Sequence, residues 1–163
     1  MNKNVIPEDF TLSMAVFDGL PVIFFCIGIL LISAKFTSPL FLAGGILCFF
    51  AGLCKVLWKI IVVLKKKNIW FLFMQMRTTM PIGFAMIIIS LIINYKSINI
   101  NNLFNIITTT PQLIFFILGA VGMILMTVFA FTLDGKKAKN NWLEQTVNCI
   151  AQLCFLIGII LAI

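Results

Sequence analysis

Residues 40–62, LFLAGGILCFFAGLCKVLWKIIV, contain only two charged side chains, Lys55 and Lys59, in an otherwise apolar run. The hydrocarbon core of a bilayer is about 30 Å thick, and about 20 apolar residues of α-helix cross it. The stretch therefore reads as a transmembrane helix. In lipid the backbone must satisfy its own hydrogen bonds, which leaves helices and closed barrels. Barrel strands alternate apolar and polar residues, and runs such as Ile87-Ile88-Ile89 and Phe115-Phe116-Ile117 do not.

Working outward from this segment, four more apolar stretches follow the same pattern: 12–33, 71–94, 112–133 and 142–163. The 163-residue chain is 62% hydrophobic and 10% charged, against roughly 45–50% apolar residues in a soluble domain. Too few polar residues remain to coat a globule or build a catalytic ectodomain. The expected fold is an all-α membrane protein, a five-helix transmembrane bundle forming one domain over 1–163. The first stretch follows Glu8 and Asp9, is long for a signal peptide and lacks a small-x-small cleavage site, so it is expected to be a retained helix. Cys26, Cys48, Cys54, Cys149 and Cys154 all fall within spans and show no CxxC spacing, so they read as small buried hydrophobes.

The formal net charge of +7 resembles a nucleic-acid signal until its distribution is considered. Lys65, Lys66 and Lys67 cluster between the second and third spans, and Lys136, Lys137 and Lys139 between the fourth and fifth; Lys35 and Lys96 mark the other side. Basic loops stay in the cytoplasm. That predicts a cytoplasmic N-terminus, an external C-terminal Ile163, membrane lipids as partners and no nucleic acid. Abundant Ile, Asn and Lys point to a low-GC bacterial source, hence a plasma membrane. Trp58, Trp70 and Trp142 near the cytoplasmic ends of spans are expected to anchor in the headgroup region. The 94–111 connection, rich in Asn, Ser and Thr but carrying Leu103, Phe104, Ile106 and Ile107, is either a short interfacial amphipathic segment or a solvated loop.

A shift of 72 residues without gaps aligns Pro39 with Pro111, Lys65 with Lys137, Lys67 with Lys139, Asn68 with Asn140 and Trp70 with Trp142. The pattern reads as a duplicated hairpin, 38–91 and 110–163, behind one leading helix, although apolar composition inflates chance matches. Each unit holds two spans, so the copies would be a parallel repeat.

Ionisable groups in hydrocarbon cost at least about 2.5–3.5 kcal/mol each on insertion scales and need a partner, a hydrated cavity or a route to the surface. With a rise of about 1.5 Å per residue, Asp18, Lys55 and Arg77 fall at one level, roughly 10 Å from the cytoplasmic boundary. Lys59, a turn nearer the surface, is expected to snorkel. Glu144, Asn148 and Gln152 follow at four-residue spacing on the fifth span. These observations predict one polar cluster, Asp18, Lys55, Arg77, Glu144, Asn148 and Gln152, in the cytoplasmic half. Asp18-Gly19-Leu20-Pro21, Arg77-Thr78-Thr79 and Pro81 accompany it, and Gly and Pro can interrupt a helix there. The cluster is either a set of ion pairs and amide bonds locking helix register, a cytoplasm-open site for an anion, headgroup or small solute, or part of an ion pathway. The outer half offers a pathway little beyond Ser33 and Ser90.

No histidine is present, which excludes imidazole ligation and His-based acid–base catalysis. Met74, Met76, Met80, Met123 and Met126 are the right type for Cu(I) but serve more often as pliant filler; no cofactor is expected. Gly44, Cys48 and Gly52, with Gly119 and Gly122, form small-residue rows suited to helix packing within the chain or to a homo-oligomer or partner membrane subunit. Three functions compete: a transport or channel-type protein (or a membrane subunit of one) with a cytoplasm-facing site, a non-transporting lipid-binding or accessory protein whose ion pairs are structural, and, third, an enzyme. Asp18 and Glu144 supply acid and base for the last, but no nucleophile, metal set or cofactor motif joins them.

Overall fold

A computed structural model describes residues 10–97, 100–133 and 137–163, the side chains of 97, 100–102 and 130 excepted. Glu8, Asp9, Asn99 and Lys136 lie outside the described residues, as do the side chains of Asn101 and Asn102. The chain is an all-α, multi-pass membrane protein: among the described residues there is no strand, and five helices are long and apolar enough to cross a bilayer.

The first span is broken into α1 (Leu12–Phe17) and α2 (Gly19–Lys35), with Asp18 between them. Thr11 caps α1 by accepting a hydrogen bond from the Met14 amide at 3.3 Å. The break has a local cause: Pro21 has no N–H for the Phe17 carbonyl. α3 (Pro39–Lys65) starts at a Ser38 cap with Pro39 in the first turn, and ends where Lys66 turns left-handed at φ 48°. α4 (Trp70–Ile93) continues through Pro81. A 3₁₀ turn (Tyr95–Ser97) and the short helix α5 (Ile100–Thr108) lead to α6 (Gln112–Thr132) and α7 (Ala138–Ala162). The 94–111 connection is thus partly helical, with Leu103 and Phe104 exposed. α3 and α7 run three and four residues past the expected 40–62 and 142–163, because their lysine-bearing ends stay helical beyond the hydrocarbon.

The helices pack in the order α4, α3, α1–α2, α7, α6, with the first span at the centre and α3 and α7 on either side of it. The 72-residue alignment pairs α3 with α6, yet α3 is an inner helix and α6 an outer one. The two hairpins therefore do not occupy equivalent places. Within each hairpin the helices approach closely. A Cβ on Gly83 would lie 2.5 Å from Cys48 Sγ and 2.8 Å from the Gly44 carbonyl, and one on Gly122 would lie 2.6 Å from Ala151 Cβ. Lipid supplies no hydrophobic drive between helices, so such close packing is a main source of their association. The small-residue rows are consumed inside the chain, with Gly52 facing Val22 of α2 and Gly119 facing Phe155 of α7.

Trp58 departs from its expected place at the interface. It is 2% exposed, packs with Phe10, Met14 and Val62, and donates its indole N–H to Asn68 Oδ1 at 2.9 Å. The asparagine of the basic loop folds back to satisfy it, so no headgroup is needed. Trp142 remains exposed at its rim, against Phe17.

Candidate functional site

The polar cluster divides into a satisfied part and an open part. The satisfied part is built on Lys59, which does not snorkel. Its ammonium lies 2.9 Å from Asp18 Oδ2, with both side chains buried. Nζ also donates to Asn141 Oδ1 at 3.5 Å and lies 5.6 Å from the centre of the Phe10 ring. Gln145 completes the cage, its amide nitrogen donating to the Met14 carbonyl at 2.9 Å and its oxygen turned to the Lys59 ammonium. Among the described residues Asp18 Oδ2, despite the short contact, receives no well-angled hydrogen bond, so the pair is mainly coulombic. Snorkelling fails because these contacts hold the ammonium and Phe10, part of a buried cluster with Met14, Trp58 and Val62, packs against it.

The open part lies on the other side of this pair. A partly enclosed cavity of about 240 Å³ is lined by Asp18, Lys55, Asn148 and Gln152, and by an apolar wall that includes Phe25, Met80, Phe84 and Met123. Among the described residues Lys55 has no carboxylate within 4 Å and makes no hydrogen bond; Asn148 makes none either. Gln152 has only a 3.7 Å contact from Nε2 to Met123 Sδ. Three polar side chains with unused hydrogen-bonding capacity thus converge inside a bundle where unmet donors are costly.

Two of the expected residues stand apart. Glu144 is half-exposed and does not line the cavity, although Lys55, Lys59 and Asp18 are within electrostatic reach. Arg77 is exposed and stacks on Phe73, 5.6 Å from the ring centre. Expected at the level of Asp18 and Lys55, it is turned out of the bundle, and its long stem lets the guanidinium reach for the headgroups.

Asn141 and Gln145 escaped sequence reasoning, although their spacing carried the signal. The positions 141, 145, 148 and 152 step by four, three and four, which holds one helix face better than repeated steps of four. On α3, positions 52, 55 and 59 step by three and four. The two stripes come together beside the first span, with Lys59 and Asn141 meeting at one end and Lys55, Asn148 and Gln152 opening into the cavity.

A second cavity of about 240 Å³ adjoins the first, sharing Phe25, Phe84, Met123 and Gln152, and runs on between Ile32 and Ile159. Apart from Gln152 its lining is apolar. Toward that end of the bundle Ser38 and Ser90 bond each other at 2.6 Å, and Ser33 Oγ is buried with no hydrogen-bond partner among the described residues. Met76, Met80 and Met123 all line the first cavity, where thioethers make a yielding wall. No protein-family model, curated protein or solved structure matches the chain.

Proposed function

We propose that this chain is a transport-type protein of a bacterial plasma membrane, and that the cavity bounded by Lys55, Asn148 and Gln152 is its ligand site. The observation that carries this reading is the set of open donors, one ammonium and two amides, directed into a cavity at membrane depth. A purely structural cluster would have closed on itself, as Lys59 has with Asp18, Asn141 and Gln145.

Exposed Lys65, Lys66 and Lys67, with Lys137 and Lys139, support a cytoplasmic N-terminus and an external C-terminus. The aromatic plug of Phe10 and Trp58 closes the route from the cavity to that basic end. α4 and α6 do not pack extensively on each other, so the ligand enters from the lipid side between them, and release to the cytoplasm requires the plug to move. An ion-conducting pore is disfavoured by the apolar lining of the second cavity.

The buried Asp18–Lys59 pair favours a second reading, an accessory membrane protein held in register by ion pairs. Native mass spectrometry of the protein released gently from its membranes separates the two. The wild type and Arg77→Gln are expected to retain a defined small molecule that Lys55→Gln loses while staying folded. Retention of nothing by any form, or of the same species by all three, rejects the ligand site and favours the accessory role.

A further inference from the structure

The two adjoining cavities make one tract with unlike ends. Lys55, Asn148 and Gln152 stand at one end beside Asp18, whose charge is engaged by Lys59, and Ile32, Phe155 and Ile159 stand at the other. Along the first span the distance from Asp18 to Ile32 is roughly 20 Å at about 1.5 Å per residue. Half of a bilayer's hydrocarbon core, the depth filled by one acyl chain, is about 15 Å. Two chambers of about 240 Å³ each together fall within the roughly 300–1,000 Å³ of small-molecule sites.

Each end excludes a class of ligand. A small hydrated solute would make no use of the apolar arm. A neutral hydrocarbon would leave the Lys55 ammonium, which Asp18 and Glu144 reach only through space, without a hydrogen-bond acceptor at a depth where a charge costs at least about 2.5–3.5 kcal/mol. A phosphate monoester carries about −1.5 to −2 charges, more than one ammonium neutralises, because Lys59 is already held by Asp18. A carboxylate matches one ammonium and accepts from the two amides as well. An arm no larger than the polar chamber holds one chain.

We propose that the tract binds a fatty-acyl carboxylate, with its head on Lys55, Asn148 and Gln152 and its chain running past Phe25 and Phe84 toward Ile159. The proposal rests on the cavity being the ligand site, as argued above, and names what fills it.

The test uses palmitate carrying a diazirine at the chain end, photolysed with the intact protein in detergent, with unlabelled palmitate and hexadecan-1-ol as competitors. Label is expected on segments 24–32 and 155–159, with palmitate competing at least tenfold better than the alcohol. Lys55→Gln should abolish that preference and Lys55→Arg should keep it, which separates lost charge from lost folding. Equal competition by the alcohol in the wild type overturns the carboxylate. Label confined to the lipid-facing residues 88, 89, 91–93 and 131 overturns the acyl ligand. In that event, a Lys55-dependent species in the native mass spectrum shows that the cavity site survives with a different ligand; without one, both fall.

Discussion

Lys59 of α3 and Asp18 at the α1–α2 break are ion-paired at 2.9 Å, with side chains only 4% and 6% exposed. The pair ties the first span to the first hairpin, while Asn141 and Gln145 bring the second hairpin to the same ammonium. One lysine thus joins three of the five spans. Removing one partner of a buried pair strands the other charge, at a cost of about 3–5 kcal/mol. Asp18→Asn alone should therefore lower the thermal midpoint in detergent sharply, and adding Lys59→Met should recover most of the loss. A double variant no more stable than the single one would show that the pair is not the source of the effect.

Close helix approach should respond to one methyl group. Gly83→Ala sets a Cβ 2.8 Å from the Gly44 carbonyl, backbone that cannot swing aside, and overpacking of this kind costs about 1–3 kcal/mol. At Gly19 the nearest atom is 3.9 Å away, so Gly19→Ala should stay within about 0.5 kcal/mol of the wild type. Thermal midpoints of the two variants measured side by side check the contrast.

The two tryptophans at the basic end should behave differently. Trp58→Ala empties a packed site and should cost about 3–5 kcal/mol. Trp58→Phe keeps most of the packing but loses the bond to half-buried Asn68, a cost of about 0.5–1.5 kcal/mol. Trp142→Ala, on a half-open face, should cost less than either. Midpoints ranked in another order would place the plug elsewhere.

Orientation follows from the lysines. In a chain with its five native cysteines replaced by alanine, Lys66→Cys should resist an impermeant thiol reagent in intact cells, and Lys96→Cys should react. The opposite pattern would invert the proposed topology.

The spans were legible in the sequence because apolar length alone decides them in a bilayer. Asp18 and Lys55, placed together by counting residues along their spans, do line one cavity. The direction a side chain faces was not legible, since it depends on which helices become neighbours. Arg77, expected at the same level, is exposed on Phe73, and Lys59, read as a snorkelling residue, became the buried partner because Phe10 and Trp58 cover it. Asn141 and Gln145 lie near the polar end of a span, where amides are commonplace, and only their four-three-four spacing with Asn148 and Gln152 marks them. The plug itself depends on Asn68 turning back onto Trp58, a tertiary contact that no periodicity encodes.

The division of the lysines, Lys59 as lock and Lys55 as ligand group, is tested most directly by the thermal midpoints of Lys59→Met and Lys55→Gln measured in one detergent. Lys59→Met should be destabilised by about 3–5 kcal/mol, the cost of stranding Asp18. Lys55→Gln, which breaks no hydrogen bond or ion pair within 4 Å and loses only through-space attraction to Asp18 and Glu144, should lose less than about 1 kcal/mol. Equal losses would mean that both lysines belong to one structural network, and that result would contradict the account.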